Sequence, residues 1–256
     1  MRLKDRVALI TGSSRGLGRA FALTFAEEGA DIVINGRDQE AMAEVRREVE
    51  ARGRRGLVAP ADVRDATQIK EMVDRVISTF GRIDILVNNA GGALFTPIAM
   101  DELKEEHWDL VMDTNLKGAF LCAMAVLPYM KAQGYGRIVN VSSKAGRTYG
   151  VLAGAHYVSA KAGITGLTRQ LAWEYGRDGI IVNAVAPGLF MSTKRIRALW
   201  ASRPQEVKDQ FMRETALGRA GEPEELARVV LFLASEECSF MTGATLDVNG
   251  GRFMAP

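Results

Sequence analysis

Short apolar segments alternate with longer amphipathic segments along the whole chain. The short segments are rich in aliphatic residues, which is typical of strands buried on both faces of a sheet. The segments predicted as strands are Val7–Thr11, Asp31–Asn35, Leu57–Ala59, Ile83–Asn88, Arg137–Ser142, Ile180–Ala186 and Ala244–Val248.

The longer segments predict helices. One of them has apolar residues at steps of three and four, which lie on a single helix face: Ile69, Met72, Val73, Val76, Ile77 and Phe80. Gly81 follows, where a glycine commonly ends a helix. The other predicted helices are Arg19–Glu28, Asp38 to about Arg52, Glu105 to about Ala132, Ala155 to about Tyr175 and Glu222–Ser235.

Strands that alternate with helices predict an α/β fold: a single doubly wound parallel sheet, Rossmann-like, with helices on both faces. The chain has no repeat and no linker, so we expect one dinucleotide-binding and catalytic domain over residues 1–256. Leu189–Leu217 is too long for an ordinary connection and contains short helical pieces. It begins after a strand, where α/β sheets bind ligands, and therefore predicts a substrate lid; an insertion without function is the alternative.

The composition of the chain argues against several classes of protein, among them nucleic-acid binders, metalloproteins and membrane proteins. The 256 residues are 47% hydrophobic and 25% charged, with a formal net charge of +2, and no basic stripe typical of nucleic-acid binding is present. Cys122 and Cys238 lie far apart, and two Cys with two His offer no metal-ligand spacing, so we expect neither a disulfide nor a metal. No apolar run reaches the roughly 18 residues that span a membrane. Met1–Arg6 is too short and charged for a signal peptide, so we expect a cytoplasmic enzyme.

A glycine-rich turn, Thr11–Gly18, joins the first predicted strand to the first helix. Its glycines allow a sharp turn and a close approach to a pyrophosphate, and the helix N-terminus offers free N–H groups and a positive dipole end. Tight turns also need glycine, but this position in an alternating chain favours a dinucleotide. The predicted cofactor contacts are Gly12, Ser14, Arg15, Gly16, Leu17 and Gly18.

The end of the second strand indicates which dinucleotide binds. An acidic residue there would accept a hydrogen bond from the ribose 2′-hydroxyl of NAD. The chain has Asn35-Gly36-Arg37 instead, with Asp38 next. Arg37 and Arg15 together suit a 2′-phosphate, so we predict NADP(H), with NAD(H) less favoured. The alternative is that Asp38 caps the following helix and Arg37 is solvated.

Tyr157 and Lys161 are four residues apart in a predicted helix, so both lie on one face. A phenol normally has a pKa near 10, and a nearby ammonium group lowers that pKa. The pair is therefore a plausible proton donor and acceptor for a carbonyl oxygen. Tyr-x-x-x-Lys is common on ordinary helices, and the glycine turn upstream strengthens the functional interpretation.

The chain resembles the short-chain dehydrogenase/reductase family along essentially its whole length. The matching motifs are Thr11-Gly12-x-x-x-Gly16-x-Gly18, Asn88-Asn89-Ala90-Gly91, Asn115, Val141-Ser142-Ser143, Tyr157-x-x-x-Lys161 and Pro187-Gly188. The resemblance implies an enzyme that interconverts a ketone or aldehyde and an alcohol by hydride transfer, with Tyr157 as general acid/base. It implies that Lys161 holds the nicotinamide ribose and lowers the tyrosine pKa. Ser143 would hydrogen-bond the substrate oxygen, and Asn115 would position a water in a proton relay.

The resemblance also implies further cofactor contacts. Asp62 and Val63 would line the adenine site, and Asn89-Ala90-Gly91 would pass along the cofactor. Pro187-Gly188 and the residues after it, Phe190 and Ser192, would flank the nicotinamide.

Two of these assignments keep an alternative. The family usually places the reactive serine thirteen residues before the tyrosine, where this chain has Lys144, whereas the Val-Ser-Ser motif selects Ser143. We interpret the difference as one extra residue in the loop from Gly146 to Ala155; Ser142 and Ser143 would otherwise serve as caps. Asn115 would alternatively satisfy buried backbone groups.

The substrate stays open. The chain is similar to 3-oxoacyl-carrier-protein reductases and related sugar or polyol dehydrogenases, but Gly134 and Asp178 stand where the former typically have basic residues. Lys144, Arg147 and His156 are expected near the pocket, the cations as rim charges and the histidine as a structural residue. A non-catalytic dinucleotide-binding regulatory protein is the alternative from another class. The resemblance implies a homotetramer, joined through two long helices and an apolar tail, Leu246–Pro256.

Overall fold

A computed structural model describes residues 1–255, so Pro256 of the predicted tail lies outside the described residues. The strands are β1 (Val7–Ile10), β2 (Asp31–Ile34), β3 (Gly56–Val58), β4 (Ile85–Asn88), β5 (Gly136–Val141), β6 (Ile180–Pro187) and β7 (Thr245–Val248). The helices are α1 (Gly16–Glu27), α2 (Gln39–Glu50), α3 (Ala66–Phe80), α4 (Glu105–Met112), α5 (Gly118–Gln133), α6 (Ala155–Tyr175), α7 (Lys194–Ala201), α8 (Gln205–Arg213) and α9 (Pro223–Ala234).

The seven strands form one parallel sheet in the order β3-β2-β1-β4-β5-β6-β7. This confirms the predicted doubly wound, Rossmann-like sheet. The chain starts in the middle of the sheet, builds one half outwards to β3, and returns to build the other half from β4. The strand order therefore reverses between β1 and β4, and α/β sheets bind ligands at such a point, beyond the carboxyl ends of the strands.

Helices cover both faces of the sheet because successive strand side chains point in opposite directions. Ile10 and Val87 pack on the face covered by α1, α2 and α9, whereas Leu9 and Leu86 pack on the face covered by α3, α5 and α6. The helix period predicted over 69–80 is confirmed. Its buried residues are Ile69, Met72, Val73 and Val76, and Gly81 ends α3 in the left-handed conformation.

The segment predicted as one long helix, Glu105 to Ala132, is interrupted by a π-helical turn over Asp113–Lys117. The whole stretch of 29 residues, Glu105–Gln133, is long and apolar enough to cross a membrane by length and composition alone. Here it is a core helix of the sheet fold, since α5 buries Cys122, Val126 and Met130 against β4 and β5. Single π turns inside α-helices often mark functional sites.

The segment 189–217 carries α7 and α8. Both helices begin within two residues of the predicted pieces Ile196–Ala201 and Glu206–Arg213. The segment starts directly after β6 and so lies at the carboxyl edge of the sheet. Its role as a lid stays a prediction.

Candidate active site

A cleft of about 950 Å³ opens at the carboxyl edge of the sheet, where the strand order reverses. Thr11, which follows β1, is hydrogen-bonded to the segment that follows β4. Its hydroxyl oxygen accepts hydrogen bonds from the backbone N–H groups of Asn89, at 2.9 Å, and Ala90, at 3.0 Å. The Asn89 amide returns a hydrogen bond of 2.8 Å to the Thr11 carbonyl oxygen. The predicted Asn-Asn-Ala-Gly segment thus forms a wall of the cleft beside the glycine turn.

The glycine turn leaves no space for larger residues. A Cβ atom added at Gly18 would lie 2.4 Å from the Gly12 carbonyl oxygen and 2.6 Å from the Asn89 amide nitrogen. Gly12 has a φ of 63°, a conformation that L side chains rarely adopt. Arg15 occupies the position before α1, and its side chain makes no hydrogen bond to the first N–H groups of the helix. These N–H groups belong to residues that line the cleft, so they are available to a ligand there. This arrangement fits the pyrophosphate of a dinucleotide.

The residues predicted to select NADP lie at the far end of the cleft. Arg15 and Asp38 form an ion pair of 2.8 Å, and the Asp38 carboxylate also caps α2 by accepting from the Ala41 N–H. The alternative considered from the sequence was that Asp38 caps the following helix and Arg37 is solvated. The structure shows this cap, and Arg37 is exposed. Arg37 nevertheless lines the cleft, with no ion pair among residues 1–255. Its contact with a 2′-phosphate stays a prediction.

Asp62 and Val63 line the same end of the cleft. The Asp62 carboxylate accepts hydrogen bonds from the Arg64 guanidinium, one of 2.6 Å, and this contact is the main reason why the pKa of Asp62 lies below its usual value. Val63 packs against α5 at Gly118, where an added Cβ would lie 2.9 Å from the valine side chain. Asp62 is held by the start of α3, where the Gln68 side chain accepts a hydrogen bond from its N–H at 2.9 Å, and the contact of both residues with adenine stays a prediction.

Three of the predicted catalytic side chains meet at the opposite end. Tyr157 and Lys161 lie one turn apart on α6 and both line the cleft, with the lysine ammonium 5.8 Å from the tyrosine ring centroid. Ser143, which follows β5, lines the cleft with them, and its hydroxyl is close enough to the Tyr157 hydroxyl to lower the pKa of that phenol in part. Lys161 is 4% exposed, and its ammonium donates a 2.7 Å hydrogen bond to the Val141 carbonyl oxygen.

Burial acts on both ionisable groups. It raises the pKa of Tyr157 above its usual value, and the nearby Ser143 hydroxyl lowers that pKa in part. Burial lowers the pKa of Lys161 to about 8. Both shifts favour the neutral form of the group, as expected when an ionisable side chain leaves water. The phenol is therefore held protonated at neutral pH, ready to donate a proton, while lowering of its pKa by Lys161 stays a prediction.

The two neighbouring serines have different surroundings. Ser142 is buried, and its hydroxyl donates a 2.7 Å hydrogen bond to the Lys161 carbonyl oxygen, which ties β5 to α6. Ser143 instead points its hydroxyl toward Tyr157 and also accepts a hydrogen bond from the Ala145 N–H at 3.1 Å. A cap and a contact with the tyrosine thus coexist at Ser143. The geometry supports Ser143 as the serine of the site.

Asn115 lies in the π turn, and its buried amide binds the cleft wall. Its oxygen accepts from the Gly92 N–H at 2.9 Å, and its nitrogen donates to the Gly92 carbonyl at 2.9 Å and to the Val111 carbonyl at 2.8 Å. The structural role considered for this residue is therefore present. A part in a proton relay stays a prediction, and both amide hydrogens are already occupied by backbone oxygens.

Comparisons with known proteins agree with this geometry. A family model described as Enoyl-(Acyl carrier protein) reductase matches residues 12–252. The chain is 44% identical over 252 residues to the hydroxy(phenyl)methylsuccinyl-CoA dehydrogenase subunit BbsD of Thauera aromatica, covering 98% of each chain. It is 43% identical to the 3-oxoacyl-(acyl-carrier-protein) reductase FabG of Thermotoga maritima, covering 98% of this chain and 99% of the relative. Among solved structures, levodione reductase superposes with a TM-score of 0.91 at 35% identity, covering 98% of each chain.

The chain belongs to the short-chain dehydrogenase/reductase family. It is therefore an oxidoreductase that acts on CH–OH or carbonyl groups. The family's motifs converge on one cleft although 176 positions separate Gly12 from Gly188 along the chain. The resemblance of the sequence to this family is confirmed.

The last predicted cofactor contacts of this short-chain dehydrogenase/reductase come from β6 and segment 189–217. The Gly188 N–H donates to the Val248 carbonyl oxygen at 2.9 Å, which holds the Pro187-Gly188 turn against β7. Phe190 pairs with Gly221 through one isolated parallel bridge, and its ring occupies the space that a side chain at position 221 would need. Phe190 and Ser192 both line the cleft.

The expected rim residues are mostly engaged with other groups. Arg147 pairs with Asp247 at 3.4 Å, and the Lys144 amine donates a hydrogen bond of 3.4 Å to the Tyr149 carbonyl oxygen. His156 is buried and hydrogen-bonds Thr96, and burial lowers its pKa. The contact of His156 agrees with the structural role predicted for it, whereas Lys144 and Arg147, predicted as rim charges, do not line the cleft.

Sequence reasoning did not single out a further group of residues in the cleft lining, which we call the mouth of the cleft. Leu94, Phe95, Thr193, Arg195 and Ile196 line it. Leu94 and Phe95 adopt φ values of 53° and 62°, which are rare for residues other than glycine. The Arg195 guanidinium carbon lies 3.1 Å from the Phe95 ring centroid. No local pattern pairs two residues 100 positions apart, so only the doubled glycine before Leu94 hinted at an unusual loop.

Proposed function

We propose that this short-chain dehydrogenase/reductase is an NADP(H)-dependent enzyme that interconverts a ketone or aldehyde and an alcohol, with Tyr157 as general acid/base. One observation carries the proposal. Ser143, Tyr157 and the buried Lys161 line one end of a cleft, with the Lys161 ammonium 5.8 Å from the Tyr157 ring centroid, and the other end of the same cleft is the glycine turn at the free N-terminus of α1. A proton donor and a dinucleotide cradle thus share one cleft.

The residues divide the reduction of a carbonyl group between them. Bound NADPH supplies the hydride that adds to the carbonyl carbon. The Tyr157 hydroxyl donates its proton to the carbonyl oxygen, and the Ser143 hydroxyl donates a hydrogen bond to the same oxygen. The Lys161 ammonium, next to the tyrosine ring, stabilises the phenolate that remains. Alcohol oxidation runs the same proton transfer backwards, from the substrate hydroxyl to the phenolate.

The preference for NADP(H) is supported by charge. NAD would need a free carboxylate to accept a hydrogen bond from its ribose 2′-hydroxyl. Both carboxylates of the cleft are in ion pairs, Asp38 with Arg15 and Asp62 with Arg64. Arg37, which lines the cleft between them, has no ion pair among residues 1–255 and suits a 2′-phosphate. NAD(H) is the less favoured cofactor.

Three further properties belong to the proposal. Residues 1–256 act as one catalytic domain in which segment 189–217 is a lid over the substrate. The protein is cytoplasmic. It forms a homotetramer, for which the exposed side chains of Phe120 and Met124 on α5 and of Trp173 on α6 offer an apolar surface.

Two alternatives are weaker. A 3-oxoacyl-carrier-protein reductase would suit the relatives of that name, but an acidic carrier protein needs a basic surface, and Asp178 pairs with Lys131 at 3.5 Å where one would be expected. A non-catalytic dinucleotide-binding regulator has no need for a buried tyrosine, serine and lysine at one point.

NADPH oxidation with a panel of ketones and aldehydes tests the proposal. Tyr157→Phe should lower kcat by about 10²–10⁴, the usual range for losing a general acid, without weakening NADPH binding. The matched control is Tyr129→Phe, which removes a tyrosine hydroxyl on α5 away from the cleft and should leave kcat unchanged. NADPH binding without turnover of any substrate would favour the regulator, and a fully active Tyr157→Phe enzyme would overturn the mechanism.

A further inference from the structure

The cleft carries more positive than negative charge. Five basic side chains line it, Arg15, Arg37, Arg64, Lys161 and Arg195, against two acidic ones, Asp38 and Asp62. Both carboxylates are paired with arginines of the cleft, and Lys161 donates to a backbone carbonyl. Two guanidinium groups, of Arg37 and Arg195, are left with no ion pair and no hydrogen bond among residues 1–255. The proposed contact with the 2′-phosphate of NADP involves Arg37 and leaves Arg195 without an assigned partner.

Arg195 lines the cleft and contacts a segment that is bonded to the catalytic elements. It stacks on Phe95, whose segment is fixed to the catalytic elements at both ends. On one side, Gly92 is held by the Asn115 amide. On the other side, Thr96 bonds to His156, the residue directly before Tyr157. Phe95 thus links Arg195 to the catalytic elements, while Thr193, two residues before Arg195, packs beside Gly16 of the glycine turn.

The stacking prepares Arg195 to bind an anion. The ring of Phe95, which is 68% exposed, covers a face of the guanidinium and limits the directions the side chain samples. The N–H donors of a guanidinium lie in its plane, so a contact through its face leaves them available. A planar donor fork of this kind matches the two oxygens of a carboxylate.

We propose that the substrate of this enzyme carries an oxyanion, such as a carboxylate, beside its carbonyl or alcohol group, and that Arg195 binds it at the mouth of the cleft. The inference rests on the proposed carbonyl–alcohol function and names the substrate class for that same site. Phe95 holds the arginine in position, and α7 brings it over the substrate. A phosphate of the cofactor is the other anion within the cleft, and the experiment distinguishes the two sources.

Matched pairs of ketones test the proposal: 3-oxobutanoate, 4-oxopentanoate and 5-oxohexanoate, each against its methyl ester, with NADPH. Each pair keeps the carbonyl group and removes only the charge. In the wild-type enzyme kcat/KM should be at least about tenfold higher for one or more acids than for the matching ester, the scale of a charge-assisted hydrogen bond at an exposed site. Arg195→Ala should remove that preference by raising the KM for the acid, with the ester and the KM for NADPH changed less than about twofold.

Arg197→Ala is the matched control. Arg197 lies on the same helix, carries the same charge and pairs with Glu222 at 2.9 Å instead of facing the cleft. It should keep the preference for the acid, and Arg195→Lys should keep part of it, because lysine retains the charge without the planar fork.

Three outcomes would overturn the inference: equal turnover of acids and esters by the wild type, equal losses on both in Arg195→Ala, or a raised KM for NADPH in that variant. The last would assign Arg195 to a cofactor phosphate. Turnover of the esters that depends on Tyr157, with no preference for acids, would overturn this inference while leaving the proposed function intact. No turnover of any ketone would overturn the proposed function itself.

Discussion

The catalytic wall and the mouth of the cleft are built differently. In the wall, formed by β5, the π turn and α6, Asn115, Ser142 and Lys161 are buried and bonded to backbone groups. At the mouth, α7 buries no residue and α8 buries Phe211 alone. The contacts there are between exposed side chains, as in the Arg195–Phe95 stack.

The difference separates chemistry from recognition. Proton transfer depends on distances fixed before the substrate arrives, so its groups lie on elements held by the core. The proposed lid has few buried residues, so we expect it to open at a lower free energy than the core and to accommodate the shape of the substrate. The reaction class is therefore evident from the wall, whereas the substrate has to be inferred from charges at the mouth.

The largest expected effect compares one truncation in the core with the same truncation in segment 189–217. Phe21→Ala in α1 removes a fully buried ring and should lower the free energy of unfolding by about 3–5 kcal/mol. Phe211→Ala removes a ring that meets Trp200 edge-on at 5.1 Å and lies under Arg252. This ring is also buried, but because we propose that segment 189–217 opens separately from the core, we expect the truncation to lower that free energy by less than about 1 kcal/mol. Urea unfolding measures both values.

Limited proteolysis completes that test. Phe211→Ala should be cleaved faster than the wild type within 189–217, and Phe21→Ala should be cleaved throughout the chain. Equal losses of unfolding free energy in the two variants would show that the segment belongs to the cooperative core.

The second prediction concerns pH and the wall. Burial lowers the pKa of Lys161 to about 8, so its ammonium is present below that pH and is lost above it. Carbonyl reduction should therefore fall by about tenfold for each pH unit above pH 8, since the neutral amine no longer stabilises the phenolate. The measurement is kcat/KM against pH with a neutral ketone.

Lys161→Arg is the control for this prediction. A guanidinium keeps its charge at every accessible pH, so the variant should be slower but should lack the alkaline fall near pH 8. An identical fall in the variant would mean that another group titrates, and the assignment to Lys161 would be wrong.

The third prediction concerns the cofactor end of the cleft. Arg37→Asp replaces the guanidinium next to the β2 end with a carboxylate and should raise the Kd for NADPH by about tenfold or more, with a much smaller effect on NADH. Arg47→Asp makes the same charge change on the exposed side of α2 and should affect neither Kd. Fluorescence titration measures the Kd of each variant for both cofactors. Equal changes in the Kd for NADPH and for NADH would show that Arg37 does not bind the 2′-phosphate.

The smallest expected effect is on the start of α7. The Thr193 hydroxyl accepts a hydrogen bond from the Ile196 N–H at 3.1 Å, and its methyl group packs beside Gly16 of the glycine turn. Thr193→Val keeps the shape but loses the cap, worth about 1 kcal/mol, and should raise the KM for the carbonyl substrate by about twofold to fivefold. Thr193→Ser retains the cap and should behave as the wild type. A reduced kcat with unchanged KM would instead place the hydroxyl in the chemical step.

Much of the fold was predictable from local patterns. Continuous apolar runs marked the strands, which are buried on both faces, and apolar steps of three and four marked the buried face of α3. Gly81 and the Thr11–Gly18 turn marked where elements end. The interruption at Asp113–Lys117 was not predictable, because a π turn keeps the helical pattern of apolar residues on either side. The position of Asn115 inside it depends on the amide contact with Gly92.

The candidate active site likewise has features that the sequence predicted and features that only the tertiary structure decided. The pairing of Tyr157 with Lys161 follows from helix geometry alone, since residues four apart share a face. The choice between Ser142 and Ser143, and the stacking of Arg195 on Phe95, required elements distant along the chain to be packed together. Periodicity encodes burial within one element, whereas hydrogen bonds and ion pairs between elements depend on how the sheet and its loops bring those elements into contact.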